Sequence, residues 1–506
     1  MRCPEKTPRW LLPVAIGLLF LYIALASNPY LTPAFYDNLT YYLGAQSILE
    51  LGEYSFNGEI ISDWPPFFSA FLALGFSVFG SSIVVAKLLS GLWAPVAVFL
   101  AWKVLAKERR REPALTAAVL ALLPTCLTLA SRVSSDWIHA ALCFLFLLIL
   151  ESLRTKRSWA IATLAGIVLG CAALTRLPAV LLAAPIVFQW FRIVLSDPSS
   201  SIAARFRKGI PEVITAIIGA GLWGSWMLYL IRMRALGRVS VGNYEKDGFS
   251  LFTEFDPLSL AESVFDLFLQ WLNLAAAIGP VSYVFLTVAT VALVAGAVST
   301  IRREGFRASD AFVVASLLLF VVYHWKLGRY SLPIAPFLIS YMLEGILLTA
   351  GVLAKWMGSS AFAPRIFTAT VAGWFFVSLS LSSLVLFNGR ISDNNGPLCR
   401  WMLDSPQDYY KSYWLELYET CEKIRRSDID TIGSVGYFER YAVAWADRSV
   451  VFILPSEVAE ASGSVDALLI PSDLSAEDVK TPGWESWIER DTVRILRPVG
   501  SANDRP

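Results

Sequence analysis

The sequence predicts a polytopic α-helical membrane protein with a small C-terminal α/β unit. Three features predict it: apolar runs of about 20 residues, a low charged fraction, and a change of composition near residue 390. Of 506 residues, 56% are hydrophobic, 13% aromatic and only 16% charged, against roughly a quarter charged in an ordinary soluble domain. A soluble globular enzyme is thereby excluded, as are disorder, coiled coil and collagen. The formal net charge of +1 hides an asymmetry, because residues 391–506 carry 12 Lys/Arg against 20 Asp/Glu and residues 1–390 carry 30 against 21. An acidic tail, with no basic stripe outside short loops, argues against nucleic acid as a partner.

Apolar runs bounded by charge place helices near residues 10–26, 81–105, 113–130, 136–153, 158–175, 177–193, 210–231, 272–300, 309–325, 331–354 and 366–388, about 11 spans. The run 65–80 is short for a crossing and is assigned to the interface. Loop charge supports that choice. Arg2, Lys6 and Arg9; Lys107 and Arg109 to Arg111; Arg154, Lys156 and Arg157; Arg205, Arg207 and Lys208; and Arg302, Arg303 and Arg307 then all fall on the cytoplasmic side, as the positive-inside rule requires. The first loop (27–80), the turns at 131–135 and near Arg176, the loop 232–270, the segment HWKLGRY and the tail are expected outside. No Lys or Arg occurs from Leu11 to Ala86, a stretch holding Asp37, Glu50, Glu53, Glu59 and Asp63. The first span suits an uncleaved anchor and, with Ala24, Ala26 and Ser27 at its end, equally a cleaved leader.

Residues 1–390 thus read as a membrane domain and 391–506 as an exported unit. In the latter, DTIGSVG, SVVFIL, VDALLIP and VRILRP have the character of short strands and YFERYAVAWA that of a helix, with the Tyr- and Trp-rich stretch 390–428 as a connector at the membrane surface. Cys126, Cys143 and Cys171 read as small core residues and Cys3 as cytoplasmic. Cys399 and Cys421 lie in the exported tail, where spacing alone leaves their pairing open. With two histidines, His139 and His324, and neither HExxH nor CxxC spacing, zinc catalysis is disfavoured.

Four clusters carry candidate chemistry. In AFYDNLTYYLGAQSILELGEYSF, Asp37 opens a stretch with Tyr41, Ala45, Ile48 and Leu49 at helical spacing, an amphipathic surface helix with a carboxylate at its start. Alone, that carboxylate needs no role beyond favouring the helix N-terminus, worth under about 1 kcal/mol. Asp63, before WPP, is equally a turn residue. In RVSSDWIH, Ser134 or Ser135 reads as an N-cap with Asp136 in the first turn and Arg132 beside it. In LTRLPA, Arg176 marks a break between spans and could simply snorkel. In YHWKLGRYSLPIAPF, Lys326 and Arg329 stand on the outside against the positive-inside bias, which favours an anionic ligand. Together, carboxylates 37, 63 and 136 and cations 132, 176, 326 and 329 meet on one face of the membrane. A sugar on a polyprenyl phosphate has a good leaving group, so its transfer calls for one base and one or two cations.

The patterns D-x3-YY-x2-A-x3-L-x2-G-x-Y (Asp37 to Tyr54), WPP-x-F (Trp64 to Phe68), G-x3-G-x3-LTR-x-P (Gly166 to Pro178) and GRYSLP-x2-P (Gly328 to Pro336) resemble the GT-C superfamily, within it the protein mannosyltransferase and aminoarabinose transferase-like branch. The similarity runs in order from residue 10 to about 345. It implies inverting transfer of a sugar from a polyprenyl-phosphate-linked donor to a glycan, lipid or protein acceptor on the extracytoplasmic face of a plasma membrane, with a prokaryotic source expected. Asp37 matches the catalytic carboxylate of the first loop, Asp136 the acidic residue of the second, and Arg329 a donor-phosphate ligand. Many members show an acidic pair in the first loop where this chain has Asp37-Asn38, which leaves a divalent cation (Mg or Mn) resting on Asp37 and Asp136 if one binds at all. Asn38-Leu39-Thr40 is formally a glycosylation sequon but would place a glycan beside the proposed base, and reads as chance or as a sign of a prokaryotic source. Two other classes compete. An O-antigen-type polymerase or ligase would need a long Arg-rich outer loop, and 232–270 is short. A lipid-linked glycan flippase or transporter would need inverted repeats and mid-span charges, and neither is evident.

Overall fold

The computed structural model describes residues 8, 10–29, 36–56, 59–195, 201–239, 280–322, 328–356, 366, 369–370, 373, 412–427, 429–435, 449–453, 465–471, 484–489 and 493–498. Among them, Ile83–Lys107, Asp136–Lys156, Leu177–Leu195, Ile210–Ala235 and Ala335–Trp356 are long and apolar enough to cross a membrane. Leu11–Ala26, Phe67–Phe79, Pro113–Leu122, Trp159–Ala173 and Ala308–Leu319 are shorter apolar helices. The expected span 366–388 lies almost wholly outside the described residues.

In chain order the helices are α1 (Leu11–Ala26), α2 (Tyr36–Leu51), α3 (Phe67–Phe79), α4 (Ile83–Gly91), α5 (Trp93–Lys107), α6 (Pro113–Leu122), α7 (Pro124–Ala130), α8 (Asp136–Lys156), α9 (Trp159–Ala173), α10 (Ala183–Leu195), α11 (Ile202–Lys208), α12 (Ile210–Ala235), α13 (Pro280–Glu304), α14 (Ala308–Val322), α15 (Ala335–Trp356) and α16 (Ser412–Arg425). Proline punctuates them. Pro124 divides the expected span 113–130 into α6 and α7, each opened by a proline in its first turn. Pro178 stands in a 3-10 turn, Leu177–Leu182, that follows an extended Arg176. That break turns the Arg176 side chain away from the helix axis.

α8 is the central helix, buried on nearly every face from Asp136 to Leu153 and packed between α5 and α9. Glycine sets two close helix crossings. Ile218 and Leu222 of α12 lie directly over Gly166 and Gly170 of α9, while Leu169 lies over Gly219. Gly296 of α13 meets the Tyr341 carbonyl of α15, and Gly345 of α15 meets the Ala292 carbonyl, so no side chain fits at either position. Packing of small residues replaces the hydrophobic effect as the force holding such helices together in lipid.

α2 departs from its expected place on the surface. Residues 38–45 are buried on every side, because α3 packs along one face, with Tyr41 edge-on to Phe68 at 5.0 Å and Tyr42 to Phe76 at 5.7 Å. Asn38 and Thr40 of the formal sequon are among the buried residues. The first loop folds back through a small hairpin, β1 (Ser55–Phe56) and β2 (Glu59–Ile60). Glu53 takes both terminal nitrogens of Arg238, at 2.9 and 2.6 Å, and Ile60 N–H donates to the Arg238 carbonyl at 2.8 Å. The hairpin is thereby pinned to the end of α12.

At the end of α8 away from Asp136, about 30 Å along the helix, a second polar cluster locks the turn after α5 to α14 and α15. The buried Arg110 guanidinium lies 3.2 Å from Glu108, pairs with Asp310 and donates to Ser309 at 3.1 Å. Ser309 donates to Glu108 at 2.6 Å, and the Tyr341 hydroxyl donates to Asp310. Basic residues that the sequence offered only as markers of sidedness are here structural ties.

The C-terminal residues form a five-stranded sheet in the order β4-β3-β5-β7-β6, from β3 (Thr431–Val435), β4 (Ser449–Ile453), β5 (Ala467–Pro471), β6 (Trp484–Glu489) and β7 (Val493–Pro498). β3 pairs parallel with β4 and β5, and β7 pairs antiparallel with β5 and β6. The four expected strands are present. Two elements differ from expectation: α16 occupies part of the stretch read as a connector, and the edge strand β6 was not foreseen. Leu417, Cys421 and Ile424 recur at helical spacing on the buried face of α16, a pattern that outweighs the aromatic composition of the stretch. β6 carries two Glu, which suits an edge and obscures the strand. Cys421 is a buried free thiol, whereas Cys399 and the segment YFERYAVAWA lie outside the described residues.

Replacing Arg110 by Met leaves Glu108 and Asp310 buried without their cation, which costs about 3–5 kcal/mol. A markedly lower thermal midpoint of the purified, detergent-solubilised variant is the expected outcome. An unchanged midpoint would mean that the cluster carries no stability.

Candidate active site

Four of the seven sequence-selected residues come together at the Asp136 end of α8. Arg176 is the hub. Its Nη1 lies 3.1 Å from Asp136 Oδ1, its Nη2 3.8 Å from Asp37 Oδ2, and its Nε donates to Ser135 Oγ at 2.7 Å. Arg329, in the 3-10 turn Gly328–Ser331, reaches the same Asp37 oxygen at 2.7 Å. Both guanidiniums lie against the Tyr330 ring, with centroid distances of 5.4 and 5.5 Å. The result is a chain of alternating charge: Arg329, Asp37, Arg176, Asp136.

Local structure accounts for each position. Asp37 stands in the first turn of α2 and Asp136 in the first turn of α8, where a carboxylate also meets the positive end of the helix. Ser134 donates to the Asp136 carboxylate and accepts from the Asp136 backbone N–H at 3.2 Å. Ser135 occupies the N-cap position, yet its side chain caps nothing. It accepts from Arg176 and donates to Tyr41 Oη at 2.9 Å, so the reading of this serine as a simple cap gives way to a tertiary role. Arg176 likewise does not snorkel. Its side chain is 7% exposed and Asp136's is 2% exposed. Burial is the largest influence and opposes the charge on Arg176, but Asp136, Tyr41, Tyr330 and Asp37 together outweigh it, and the guanidinium is held above its ordinary pKa. For Arg329, burial and the neighbouring Arg176 both oppose the charge, and Asp37 and Asp136 reverse the balance.

Beside this chain lies a cavity of about 350 Å³ whose polar end holds Asp37, Arg176, Tyr41 and Tyr330. One wall is a stripe on α12, Trp223, Trp226, Met227, Leu230, Ile231 and Arg234, spaced as one helical face. Trp226 stacks on Tyr229 at 5.4 Å. Asp63 lines the cavity through the WPP segment, which is tied in place by Phe67 N–H donating to the Leu174 carbonyl at 3.0 Å. Asp63 is therefore at the site. Arg132 is buried beside Lys87 and is not among the cavity-lining residues. Lys326 lies outside the described residues.

Ser135, Tyr41, Tyr330 and the α12 stripe are site residues that the sequence pattern does not mark as functional. Signals existed for three of them: Tyr41 is one turn after Asp37, Ser135 precedes Asp136, and Tyr330 follows Arg329. Their side-chain direction could not be read from spacing. The two carboxylates do not fit a divalent cation well, because the Arg176 guanidinium already lies against both of them. Among the described residues no group of three His, Cys, Asp or Glu side chains forms a metal site.

Comparison with known proteins agrees with this architecture. Residues 63–237 match the family of dolichyl-phosphate-mannose-protein mannosyltransferases. No curated protein matches the chain in sequence. Among solved structures, ArnT from Cupriavidus metallidurans in the apo state aligns over 96% of both chains with a TM-score of 0.56 at 13% identity. Its complex with undecaprenyl phosphate aligns over 97% of this chain and 98% of ArnT with a TM-score of 0.57 at 15% identity. The oligosaccharyltransferase AglB from Archaeoglobus fulgidus, in complex with an inhibitory peptide and a dolichol-phosphate, aligns over 92% of this chain and 69% of its own, with a TM-score of 0.53 at 12% identity. The chain shares the fold of ArnT and AglB, in line with the resemblance its motifs carry.

Removing Arg176 alone, as in Arg176→Met, leaves Asp136 buried and unpaired and destabilises by about 3–5 kcal/mol. Adding Asp136→Asn to that variant recovers part of the loss. A thermal-unfolding double-mutant cycle measures this coupling, and simple additivity of the two losses would contradict it.

Proposed function

We propose that the protein is an inverting glycosyltransferase of the extracytoplasmic membrane face, moving a sugar from a polyprenyl-phosphate carrier to an acceptor hydroxyl. The observation that carries this reading is the charge chain Arg329–Asp37–Arg176–Asp136, of which Asp37 and Arg176 line a cavity walled largely by apolar side chains. Such a cavity suits an amphiphile with an anionic head and hydrocarbon beside it. The complex of ArnT with undecaprenyl phosphate supports the choice of carrier class.

In the proposed reaction Asp37 takes the proton of the acceptor hydroxyl as that oxygen attacks the anomeric carbon. The bond from that carbon to the phosphate oxygen breaks, and the phosphate departs with the electron pair. Arg329 and Arg176 neutralise the charge that develops on it, and Asp136 holds Arg176 in place. Before the donor binds, Asp37 occupies Arg329. The donor phosphate competes for that guanidinium and releases the carboxylate to act as base. No step runs through a metal ion. The C-terminal unit, residues 391–506, is assigned to the same side of the membrane, where it covers the site or receives the acceptor, which is a glycan, lipid or protein.

Transfer of labelled sugar from a set of synthetic polyprenyl-phosphate donors tests the reading. Asp37→Asn is expected to lower turnover by at least about 100-fold while donor binding persists, and a chelator is expected to leave wild-type transfer intact. Undiminished turnover in Asp37→Asn would move the base to Asp63. No transfer by the wild type from any donor would favour a polymerase or flippase.

A further inference from the structure

One hydroxyl at the cavity has no task in the reaction just described. Tyr41 follows Asp37 by one turn of α2, lines the cavity beside it and is 1% exposed. Its position is fixed twice over, by the edge-on contact with Phe68 and by Ser69 Oγ, which donates to the Tyr41 carbonyl at 3.1 Å. Its hydroxyl oxygen accepts from Ser135 Oγ at 2.9 Å, and Ser135 Oγ accepts from Arg176 Nε at 2.7 Å. Donation in this relay runs one way, from the guanidinium to the serine and from the serine to the tyrosine. The Tyr41 proton is thus left to be donated, and Tyr41 is one of the residues that line the cavity. In a low-dielectric interior each bond of such a relay polarises the next, so the last donor is well matched to an anionic acceptor.

We propose that Tyr41 is a further catalytic residue, whose hydroxyl donates a hydrogen bond to the phosphate oxygen leaving the sugar, with Ser135 as the positioning residue that couples it to Arg176. This rests on the reading of the site as a lipid-linked-donor glycosyltransferase. The balance of the step is unchanged: Asp37 gains the acceptor proton, the phosphate keeps the electron pair of the broken bond, and the Tyr41 proton stays on Tyr41. Burial pushes the phenol well above its ordinary pKa, so it is a donor and not a base throughout the physiological range. The interaction strengthens as the phosphate goes from a diester with one negative charge to a monoester with up to two. It therefore serves the transition state and the product more than the bound donor.

The test uses the full chain in membranes or detergent, with Tyr41→Phe, Ser135→Ala, Ser135→Thr and the double variant Tyr41→Phe/Ser135→Ala. Tyr41→Phe is expected to lower kcat by roughly 100-fold with KM for the donor within about 2-fold. Affinity for a synthetic polyprenyl phosphate, the product, is expected to fall about 10-fold, while affinity for the sugar-bearing donor holds. Ser135→Ala gives a smaller loss, Ser135→Thr restores it, and the double variant is no worse than Tyr41→Phe. Equal loss of affinity for product and donor, or additive losses in the double variant, would overturn the proposal. Undiminished turnover in Tyr41→Phe, with transfer by the wild type, overturns it alone. Absence of transfer by the wild type overturns the transferase reading and this proposal with it.

Discussion

The structure at the Asp136 end of α8 depends on one guanidinium. Arg176 lies between two carboxylates contributed by helices far apart in sequence, and it is buried with one of them. In such surroundings an unpaired charge costs several kcal/mol, so neither Asp136 nor Arg176 can leave without the other. The extended backbone of Arg176, at the break before Pro178, is what lets the side chain reach sideways to α2 and α8. The first loop is held against this point by the Phe67 hydrogen bond to Leu174 and at its far edge by Arg238, while Ser69 ties α3 to α2 within it. Site and scaffold share the same ties.

The molecule has a second polar lock at the opposite end of α8, around Arg110. Both locks use arginine, whose planar fork serves several acceptors at once and which stays charged when buried. Their surroundings differ. Arg110 is closed in by Glu108, Ser309, Asp310 and Tyr341, whereas Arg176 borders a cavity. A charged cluster that also touches open space can exchange one of its partners for a ligand, which is the physical distinction between a site and a strut. ArnT and AglB, at 12–15% identity, share the fold, and it is the residues at this cavity that argue for a function.

Much of this was legible in the sequence. Long apolar runs give most helices within a few residues, and Asp37, Asp136, Arg176 and Arg329 stand out through their joint placement on one face and the family motifs that hold them, each having a plain structural reading when taken alone. Strand periodicity located β3, β4, β5 and β7. What spacing could not give was direction. Ser135 sits where an N-cap belongs and points to Arg176 instead, and α2 has the composition of a surface helix but is enclosed because α3 folds onto it. Arg132 was as good a candidate as Arg176 by sequence. The two part only because one follows a helix break that aims it at the carboxylates and the other is buried beside Lys87. The cavity wall on α12 was illegible for a different reason: in a membrane helix, an apolar stripe facing a ligand looks the same as one facing lipid.

In the proposed reaction everything turns on the donor phosphate replacing Asp37 on Arg329. The most direct measurement is an experimental structure of the full chain with bound polyprenyl phosphate. The expected result is the phosphate within hydrogen-bond distance of Arg329 and Arg176, with the Asp37 carboxylate withdrawn from Arg329 and turned toward the cavity. A phosphate bound elsewhere, with the Asp37–Arg329 pair intact, would contradict it.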